Sequence, residues 1–273
     1  MLELFAGTAG LSQAVKVVNE KTVRVLDPVD EIFGANLLDD SNFCAVVEAA
    51  EKEKCGWIHM APPCRTFSRA RRKDKYGSVP VLRTDDKPEG FGCQDTTEAN
   101  ILADRCASIG EAQAKAGRFF SIENPEGSFI WMMKSFGRLA KMEGVSLVVI
   151  DQCAFGSEFK KPTGVLTNSP WIVKRARRCE DLPPHKHTPL VGRIWSYKVN
   201  KEVWRTSEAA EYPHGLCNEW ALGLKEWLAR SERPVEENVV VSDDEEPPVV
   251  EATKPLVRVG TKGNCLVRND LVR

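Results

Sequence analysis

Short strand-like runs alternate with helix-like segments along the first 150 residues of the chain. The runs MLELF, TVRVL, GWIHMA, RFFSIENP and VSLVVID are short and largely apolar, as buried strands are. This alternation predicts an α/β domain with a mostly parallel sheet. Ligands of such sheets bind beyond the carboxyl ends of the strands, so AGTAG, DPVD, APPCRTFS and ENPEG are the candidate site segments.

Three helices are predicted between these runs. LSQAVKVVNE follows AGTAG, SNFCAVVEAAEKEK begins with Ser41 as its N-cap, and a long helix covers about residues 96–116. At 273 residues, of which 42% are hydrophobic, the chain can bury one sizeable core. The first strand begins at Met1, so we expect an excised domain of a longer protein.

Composition excludes some classes of protein. No run approaches the ~18 to 20 apolar residues of a membrane span, so no membrane partner is expected. Nine cysteines at wide spacing favour free thiols in a reducing, intracellular compartment, which would be the nucleus in a eukaryote. The net charge of -1 does not by itself point to a nucleic-acid partner, but the distribution of charge is more informative: residues 65–75 and 174–178 are basic clusters. Each cluster is either a solvated surface run or a nucleic-acid contact.

The segment LFAGTAGLS has the composition of a ligand cradle. Gly7 and Gly10 stand between a strand and a helix, where backbone N–H groups can face a nucleotide-like ligand. The pattern G-x-G-x-x-G is absent, which disfavours a nicotinamide dehydrogenase. Asp27 ends the next predicted strand, where a ribose-binding carboxylate is found in folds of this type. An ordinary turn is the alternative.

Cys64 lies directly after a buried run, behind Pro62 and Pro63, which fix the backbone. Arg65 and Arg69 are expected to lower the pKa of the thiol and so favour a thiolate that attacks electrophilic carbon. The alternative is a cysteine that packs under a loop.

Three motifs carry a family resemblance. ELFAGTAGL (3–11), APPCRTFS (61–68) and IENPEGS (122–128) resemble, in order, the first, fourth and sixth conserved motifs of the cytosine-5 DNA methyltransferases. QCAFGSEFKKPTGVLTN (152–168) and RTSEAAEYPHGLCNEWA (205–221) resemble later motifs more weakly. The resemblance implies a Rossmann-like, S-adenosylmethionine-dependent methyltransferase fold. It implies methylation of cytosine C5 in DNA; RNA methylation and a methyltransferase-like scaffold without turnover are the alternatives.

The resemblance assigns three catalytic roles. Cys64 would attack C6 of a flipped cytosine, and Glu123 would hydrogen-bond its N3 and exocyclic amine. Lys161 would lie near the base O2, where the family has an arginine; it keeps the charge but loses the forked geometry. The chain also departs from the family at Arg65, where a glutamine is usual, and at Pro125, where a valine is usual.

The resemblance also implies binding residues. The cofactor S-adenosyl-L-methionine would contact Phe5, Ala6, Gly7, Thr8, Gly10, Leu11, Asp27, Pro28, Asn36, Leu37, Pro62, Asn100 and Asn218. The nucleic acid, DNA or RNA, would contact Pro63, Arg65, Ser68, Arg69, Arg71, Arg72 and Lys73. Residues 65–75 occupy the place of a mobile loop that closes over nucleic acid in the family, which favours phosphate contacts there.

Three regions are predicted along the chain. Residues 1–168 and 205–230 would form the catalytic domain, and residues 169–204 a short target-recognition-like region. Residues 231–273 are rich in acids and proline and are predicted to be a disordered tail. VVVSDDEE in this tail resembles a SUMO-interacting motif, which would bind a SUMO-like partner; a solubilising linker is the alternative.

The segment CEDLPPHKHTPLVG contains a candidate metal site. Cys179, His185 and His187 carry ligand atoms, and two histidines spaced H-x-H on extended backbone point to one face. With Cys153 or Cys217 as a fourth ligand, they could hold structural zinc. The spacing is not a standard zinc pattern, and an ordinary surface loop is the alternative.

Overall fold

A five-stranded sheet forms the centre of the computed structural model. Its strands are β1 (Leu2–Leu4), β2 (Trp57–Met60), β3 (Phe119–Pro125), β4 (Ser146–Asp151) and β5 (Pro162–Thr167). The order across the sheet is β1-β2-β3-β5-β4. β1, β2 and β3 pair in parallel, whereas β5 is antiparallel to both β3 and β4. Four strands therefore run in one direction, which gives the mixed α/β architecture with a mostly parallel sheet that the sequence predicts.

The structure describes residues 1–52, 55–69, 81–197 and 199–231. They contain the helices α1 (Gly10–Val18), α2 (Asp40–Lys52), α3 (Gln94–Lys115), α4 (Lys134–Leu139), α5 (Pro170–Lys174), α6 (Arg205–Glu208) and α7 (His214–Ser231). A separate hairpin is formed by β6 (Arg193–Ser196) and β7 (Lys201–Trp204). Within these ranges, no helix combines the length and apolarity that a membrane crossing requires. The predicted tail with its SUMO-like motif lies outside the described residues.

Apolar helices cover both faces of the sheet. On one face, Leu4, Met60 and Ile122 of the first three strands pack with α3 and α4 in one buried cluster. On the other face, buried side chains of α1, α5 and α7 form a second cluster with Trp57. Trp171 of α5 belongs to this second cluster although it lies in the range predicted as the recognition region. Burying each large apolar side chain contributes about 1.5–3 kcal/mol relative to exposure.

The face that α1 and α7 cover also carries a buried row of polar side chains. Glu3, His59 and Ser121 occupy matching positions on β1, β2 and β3, and each is at most 2% exposed. A buried polar group costs free energy unless it is hydrogen-bonded, so such a row requires partners. Those partners connect the sheet to the candidate site.

Two local predictions are wrong. TVRVL (22–26) is not a strand, although Leu26 N donates to Met1 O at 2.9 Å and Val29 N to Glu3 O at 2.9 Å. A regular ladder would take its next donor from Pro28, which has no N–H, so the pairing slips by one residue. The cap of α2 is Asp39, whose carboxylate accepts the backbone N–H of Ser41 and Asn42, rather than Ser41 itself.

Candidate active site

Four loops meet at the carboxyl edge of the parallel strands. Residues 5–9 follow β1, residues 61–69 follow β2 and residues 126–128 follow β3. Because β5 is antiparallel, it begins at this edge: Pro162 pairs with Asp151, the last residue of β4. Lys161, directly before β5, is thereby brought to the same edge as the first three loops.

The loop that carries Cys64 is held by backbone hydrogen bonds on both sides of the thiol. Ala61 N donates to Leu4 O at 3.2 Å, and the carbonyl of Cys64 accepts from Phe67 N at 3.0 Å and from Ser68 N at 2.8 Å. The Cys64 side chain itself is exposed. The cysteine is therefore a fixed, accessible group.

Asn124 connects this loop to β3. Its amide donates to Pro62 O at 3.0 Å, and its oxygen accepts from the Ser128 hydroxyl at 2.6 Å. Consecutive strand residues face opposite sides of a sheet, so Asn124 fixes the cysteine loop while Glu123 points to the other face.

Arg83 is a second support that the sequence did not single out. Its guanidinium is buried and donates five hydrogen bonds: to Thr66 O at 3.1 Å, Thr66 Oγ1 at 2.9 Å, Thr96 O at 3.3 Å, Pro88 O at 2.6 Å and Asn100 Oδ1 at 2.8 Å. It also stacks over the ring of Phe67, 3.8 Å from the centroid. Burial lowers the pKa of Arg83 to about 10. Arg83 thus fixes Thr66 and Phe67, the second and third residues after Cys64.

The charges around Cys64 differ from the sequence prediction. Protein atoms that exclude water from the thiolate raise the pKa of Cys64 above its usual value, although the residue reaches the solvent; the negative charge of Glu123 raises it further. The positive charge of Lys161 lowers it. The prediction that Arg65 and Arg69 lower this pKa is wrong, because both guanidiniums are turned to other partners, among them the Asp95 carboxylate and the Gly127 carbonyl.

Glu123 and Lys161 form the buried side of the site. Glu123 is 8% exposed, and burial raises the pKa of its carboxyl, while Lys161 and a hydrogen bond with Tyr212 lower it. The Lys161 ammonium donates to Ala209 O at 2.7 Å. The structure thus brings together the three predicted catalytic residues. The Glu123 carboxylate and the Lys161 ammonium have opposite effects on the pKa of the Cys64 thiol.

A directional hydrogen-bond chain leads to Glu123 from the buried polar row. The Tyr212 hydroxyl donates to the Glu123 carboxylate, a hydrogen bond that lowers the pKa of Glu123, so the Tyr212 oxygen accepts from His59 Nε2 at 2.9 Å. His59 is neutral, so its Nδ1 carries no proton and accepts from the Ser121 hydroxyl at 2.8 Å. Trp57 Nε1 donates to the same Ser121 oxygen at 3.0 Å.

His59 is the neutral link in this chain. It is completely buried, and burial lowers its pKa to about 3. His59, Ser121 and Tyr212 were missed in the sequence. The signal that could have found two of them is the occurrence of polar residues at alternate positions within the otherwise buried runs WIHM and FFSIENP.

A cleft of about 540 Å³ opens beside the loop after β1. It is lined by four of the predicted cofactor residues, Gly7, Thr8, Asp27 and Pro28, and also by Ala9, Ser12, Gln13, Lys16, Val25, Leu26, Ile32 and Phe33. This volume lies in the range of small-molecule sites. A second cavity of about 430 Å³ lies at the opposite edge, around the starts of β2 and β3.

The loop beside the cleft has an unusual backbone. Phe5, Gly7 and Ala9 have φ values of 57°, 52° and 55°. These values lie in the left-handed region, which residues other than glycine rarely adopt. Asp30 supports the loop, since its carboxylate accepts the N–H of Gly7 at 2.9 Å and that of Ile32 at 3.0 Å. Strained backbone of this kind is concentrated at functional sites.

The other predicted cofactor residues do not line this cleft. Leu11, Leu37 and Pro62 are buried, and Phe5, Ala6 and Gly10 belong to the loop and the start of α1. Asn36 forms a turn with Leu38 N at 2.8 Å, Asn100 binds Arg83 and Glu89 O, and Asn218 contacts His214 at 3.1 Å.

The predicted nucleic-acid residues surround the cysteine in part. Pro63 and Arg65 are exposed next to Cys64, and Arg69 stacks over Phe129, 4.3 Å from the ring centroid. Ser68 belongs to the turn after Cys64, and its backbone N–H donates to the Cys64 carbonyl. Arg71, Arg72 and Lys73 lie outside the described residues.

The basic cluster at 174–178 has a structural use in this chain. Its three arginines pair with carboxylates: Arg175 with Glu219 and Glu226, Arg177 with Glu219, and Arg178 with Glu126 and Asp151. These pairs join the segment after α5 to α7 and to the end of β4.

The candidate metal residues are also brought together. Cys179, His185 and His187 lie with Cys153, and the four ligand atoms are all within 4.8 Å of one another. Cys217 is not in this group; its sulfur lies 3.7 Å from the position of a Cβ on Gly10.

Comparison with known proteins adds little. No family model and no curated protein matches the chain. Among solved structures, a methyltransferase of Entamoeba histolytica, EhMeth, aligns over 70% of this chain and 57% of its own, at 10% identity and a TM-score of 0.35. The chain therefore spans little more than half of that structure, and a likeness this low identifies neither a fold nor an activity.

Proposed function

We propose that the protein is an S-adenosyl-L-methionine-dependent methyltransferase that methylates C5 of cytosine in DNA through the thiol of Cys64. The observation that carries this proposal is the electrostatic contact of Cys64 with both Glu123 and Lys161 at one edge of the sheet. Cys64 lies 59 positions before Glu123 and 97 positions before Lys161, so the fold rather than the local sequence brings both charges to the thiol.

The cleft beside β1 suits the cofactor. Its left-handed loop lets backbone approach a ligand closely, the amino end of α1 begins there, and Asp27 offers a carboxylate for ribose hydroxyls. Bound in the cleft, S-adenosyl-L-methionine would supply an electrophilic methyl carbon. Gly7, Thr8, Asp27 and Pro28 would hold it there.

The residues of the site account for activation of the base. After the thiol loses its proton to solvent, the Cys64 sulfur forms a bond to C6, and the electron pair of the C5–C6 double bond shifts toward N3. Glu123 donates a proton to N3, a role suited to a carboxyl whose pKa burial raises. When C5 takes the methyl group, S-adenosyl-L-homocysteine would be left as the by-product and the N3 proton returns to Glu123. Loss of the C5 proton to solvent then breaks the sulfur–C6 bond and restores the Cys64 thiolate. Lys161 stabilises the thiolate at the start and the end of this sequence.

Exposed aromatic side chains on the β6–β7 hairpin favour a nucleic-acid substrate. Trp195 is 48% exposed and Tyr197 is 91% exposed. Aromatic rings on an open surface provide stacking platforms for unpaired bases, and a methylated cytosine must leave its stack. The hairpin lies within residues 169–204, the predicted recognition region.

The test is transfer of labelled methyl groups from S-adenosyl-L-methionine to duplex DNA, single-stranded DNA and RNA. We expect incorporation at cytosine C5 in DNA, its loss in Cys64→Ser, and its retention in Cys93→Ser, which removes another exposed cysteine. Methylation of RNA with no methylation of DNA would change the substrate class. Transfer that survives Cys64→Ser would overturn the covalent mechanism.

A trapping experiment separates the enzyme from a scaffold. An oligonucleotide with 5-fluorocytosine should remain attached to Cys64, because fluorine at C5 cannot leave as a proton does. Cofactor binding without any adduct would favour a methyltransferase-like scaffold instead.

A further inference from the structure

We propose that Cys153, Cys179, His185 and His187 bind one Zn²⁺ ion in a closed, structural site. The site is separate from the proposed methyl-transfer chemistry and does not depend on it. It rests on the convergence of four ligand atoms from two segments of the chain.

The three distances among the ligand atoms of Cys179, His185 and His187 are close to those of a tetrahedral zinc shell. His185 Nε2 and His187 Nε2 are 3.0 Å apart, and the Cys179 sulfur is 3.4 Å from His187 Nε2 and 3.9 Å from His185 Nε2. Zinc bonds of about 2.3 Å to sulfur and about 2.0–2.1 Å to nitrogen give tetrahedral edges of roughly 3.3 Å between nitrogens and roughly 3.6 Å between sulfur and nitrogen. These three ligands need only small adjustments to surround one ion, and the Cys153 sulfur, within 4.8 Å of each of them, is near enough to be the fourth ligand.

The orientation of His185 supports metal binding. Its Nδ1 lies 2.9 Å from Pro183 O, and a carbonyl can only accept, so the proton is on Nδ1. Nε2 therefore presents a lone pair to the other ligands. An imidazole whose other nitrogen donates to a carbonyl is the usual arrangement of a metal-bound histidine.

The two segments that carry the ligands are fastened to each other on both sides of the cluster. Asp151, two residues before Cys153, accepts the backbone N–H of Cys179 at 2.8 Å. Beyond His187, Thr188 N donates to Glu158 O at 2.9 Å and its hydroxyl to the Glu158 carboxylate at 2.6 Å. The ligand residues are thus held close by hydrogen bonds that leave their ligand atoms free, which preorganises the site.

The ligand set selects the metal and its role. Two thiolates and two imidazoles in a tetrahedral arrangement favour Zn²⁺ over the hard cations Mg²⁺ and Ca²⁺. Four protein ligands leave no position for water or substrate, so the ion would be structural. It would link residues 179–187 to the turn after β4, which also leads to Lys161.

The direct test is metal analysis of the full chain, purified from cells supplied with zinc and dialysed without chelator. We expect about one zinc per chain in the unaltered protein and in the controls Cys93→Ser and His214→Ala. Cys179→Ser and His187→Ala should lose most of the zinc, since each removes a ligand. Zinc that remains at full occupancy in both ligand variants would overturn the proposal.

Measurements on the unaltered chain guard against variants that fail to fold. X-ray absorption at the zinc edge should fit two sulfur and two nitrogen neighbours at about 2.3 Å and about 2.0–2.1 Å. Replacement by Co²⁺ should give visible bands of tetrahedral cobalt with thiolate charge transfer. A chain without zinc, or a Cys153–Cys179 disulfide in its non-reduced peptide map, would refute the site.

Discussion

Glu123 and Lys161 act on the Cys64 thiol with opposite sign. The carboxylate raises the pKa of the thiol and the ammonium lowers it, while exclusion of water raises it most. The thiol therefore needs a higher pH to ionise than an ordinary cysteine does, and the cation next to it limits that cost.

We predict opposite shifts in the pH dependence of Cys64 alkylation. Glu123→Gln removes a negative charge and should move the iodoacetamide profile to lower pH, and Lys161→Met should move it to higher pH. Peptide mass spectrometry measures each cysteine separately. Cys93, whose pKa is lowered chiefly by the Thr96 hydroxyl, is the internal control and should not move. Shifts of the same sign in the two variants would contradict the arrangement.

Tyr212 is a positioning residue for Glu123 rather than a group that reaches the base. Its hydroxyl donates to the carboxylate and so lowers the pKa of Glu123. We predict that Tyr212→Phe raises that pKa further and shifts the basic limb of the methylation rate to higher pH, because the carboxyl keeps the proton that it donates to N3 over a wider range of pH. It also leaves the His59 N–H unpaired, which costs on the order of 1–3 kcal/mol of stability.

The pH profile distinguishes this role from a merely structural one. Trp227→Phe alters packing of α7 on the buried cluster and lies outside the hydrogen-bond chain, so it should change stability and leave the basic limb where it is. An unchanged limb in Tyr212→Phe would show that Tyr212 does not control the carboxyl.

Sequence identified some of these residues and not others for a physical reason. Cys64 and Glu123 stand in short motifs whose neighbours in the chain are also their neighbours in space. The partners His59 and Tyr212 are 153 positions apart, and no local pattern reveals a hydrogen bond between them. The prediction that Arg65 lowers the pKa of Cys64 was wrong for the same reason, because its guanidinium pairs with Asp95, 30 positions away.

At the scale of elements, the loop after β2 depends on Arg83 more than on the prolines within it. We predict that Arg83→Met lowers the free energy of unfolding by on the order of 2–4 kcal/mol, since it leaves buried carbonyls without donors. Urea unfolding measures the change. Arg65→Met removes only a surface ion pair and should cost less than about 1 kcal/mol. Equal effects of the two variants would argue against a stabilising role for the hydrogen bonds that Arg83 donates to the loop after β2.

The β6–β7 hairpin permits a prediction about nucleic-acid affinity. Trp195→Ala and Tyr197→Ala should each weaken binding of single-stranded DNA by about 1–3 kcal/mol if a base stacks there. The salt dependence of binding should stay the same, because no phosphate contact is lost. Titration by fluorescence anisotropy at several salt concentrations measures both. Val191→Ala, another exposed position just before the hairpin, is the control.

Element type was predictable where apolar periodicity was strong. β1, β2, β3, β4, α1 and α3 all correspond to predicted segments. TVRVL has the composition of a strand, but Pro28 has no N–H and interrupts its hydrogen bonding with β1. Composition alone does not show which backbone N–H groups must donate to the neighbouring strand. The antiparallel course of β5, which brings Lys161 to the site, depends on pairing with β3 and β4 and had no local signal.

At the scale of the whole molecule, Met1–Ser231 form one compact unit. We predict that a chain ending at Ser231 unfolds with the same cooperative thermal transition as the full chain. A chain ending at Ala209 lacks α7 and exposes the apolar cluster that α7 covers, so it should lose that transition and aggregate. Calorimetry and light scattering measure both. A cooperative transition in the shorter chain would contradict the role of α7.

The contact of α7 with α1 joins the two ends of the compact unit, so the candidate site can be completed only after α7 has been synthesised. Asn19, at the end of α1, donates to Ala221 O of α7, 202 positions later, and Tyr212 reaches β2 from just before α7. During synthesis on the ribosome, Cys64 and Glu123 emerge long before these groups do. The chain grows by 148 residues between Cys64 and Tyr212, so until then no Tyr212 hydroxyl orients the Glu123 carboxyl. The proposed methyl transfer would therefore begin only in the last stage of folding, which would limit adventitious chemistry by unfinished copies.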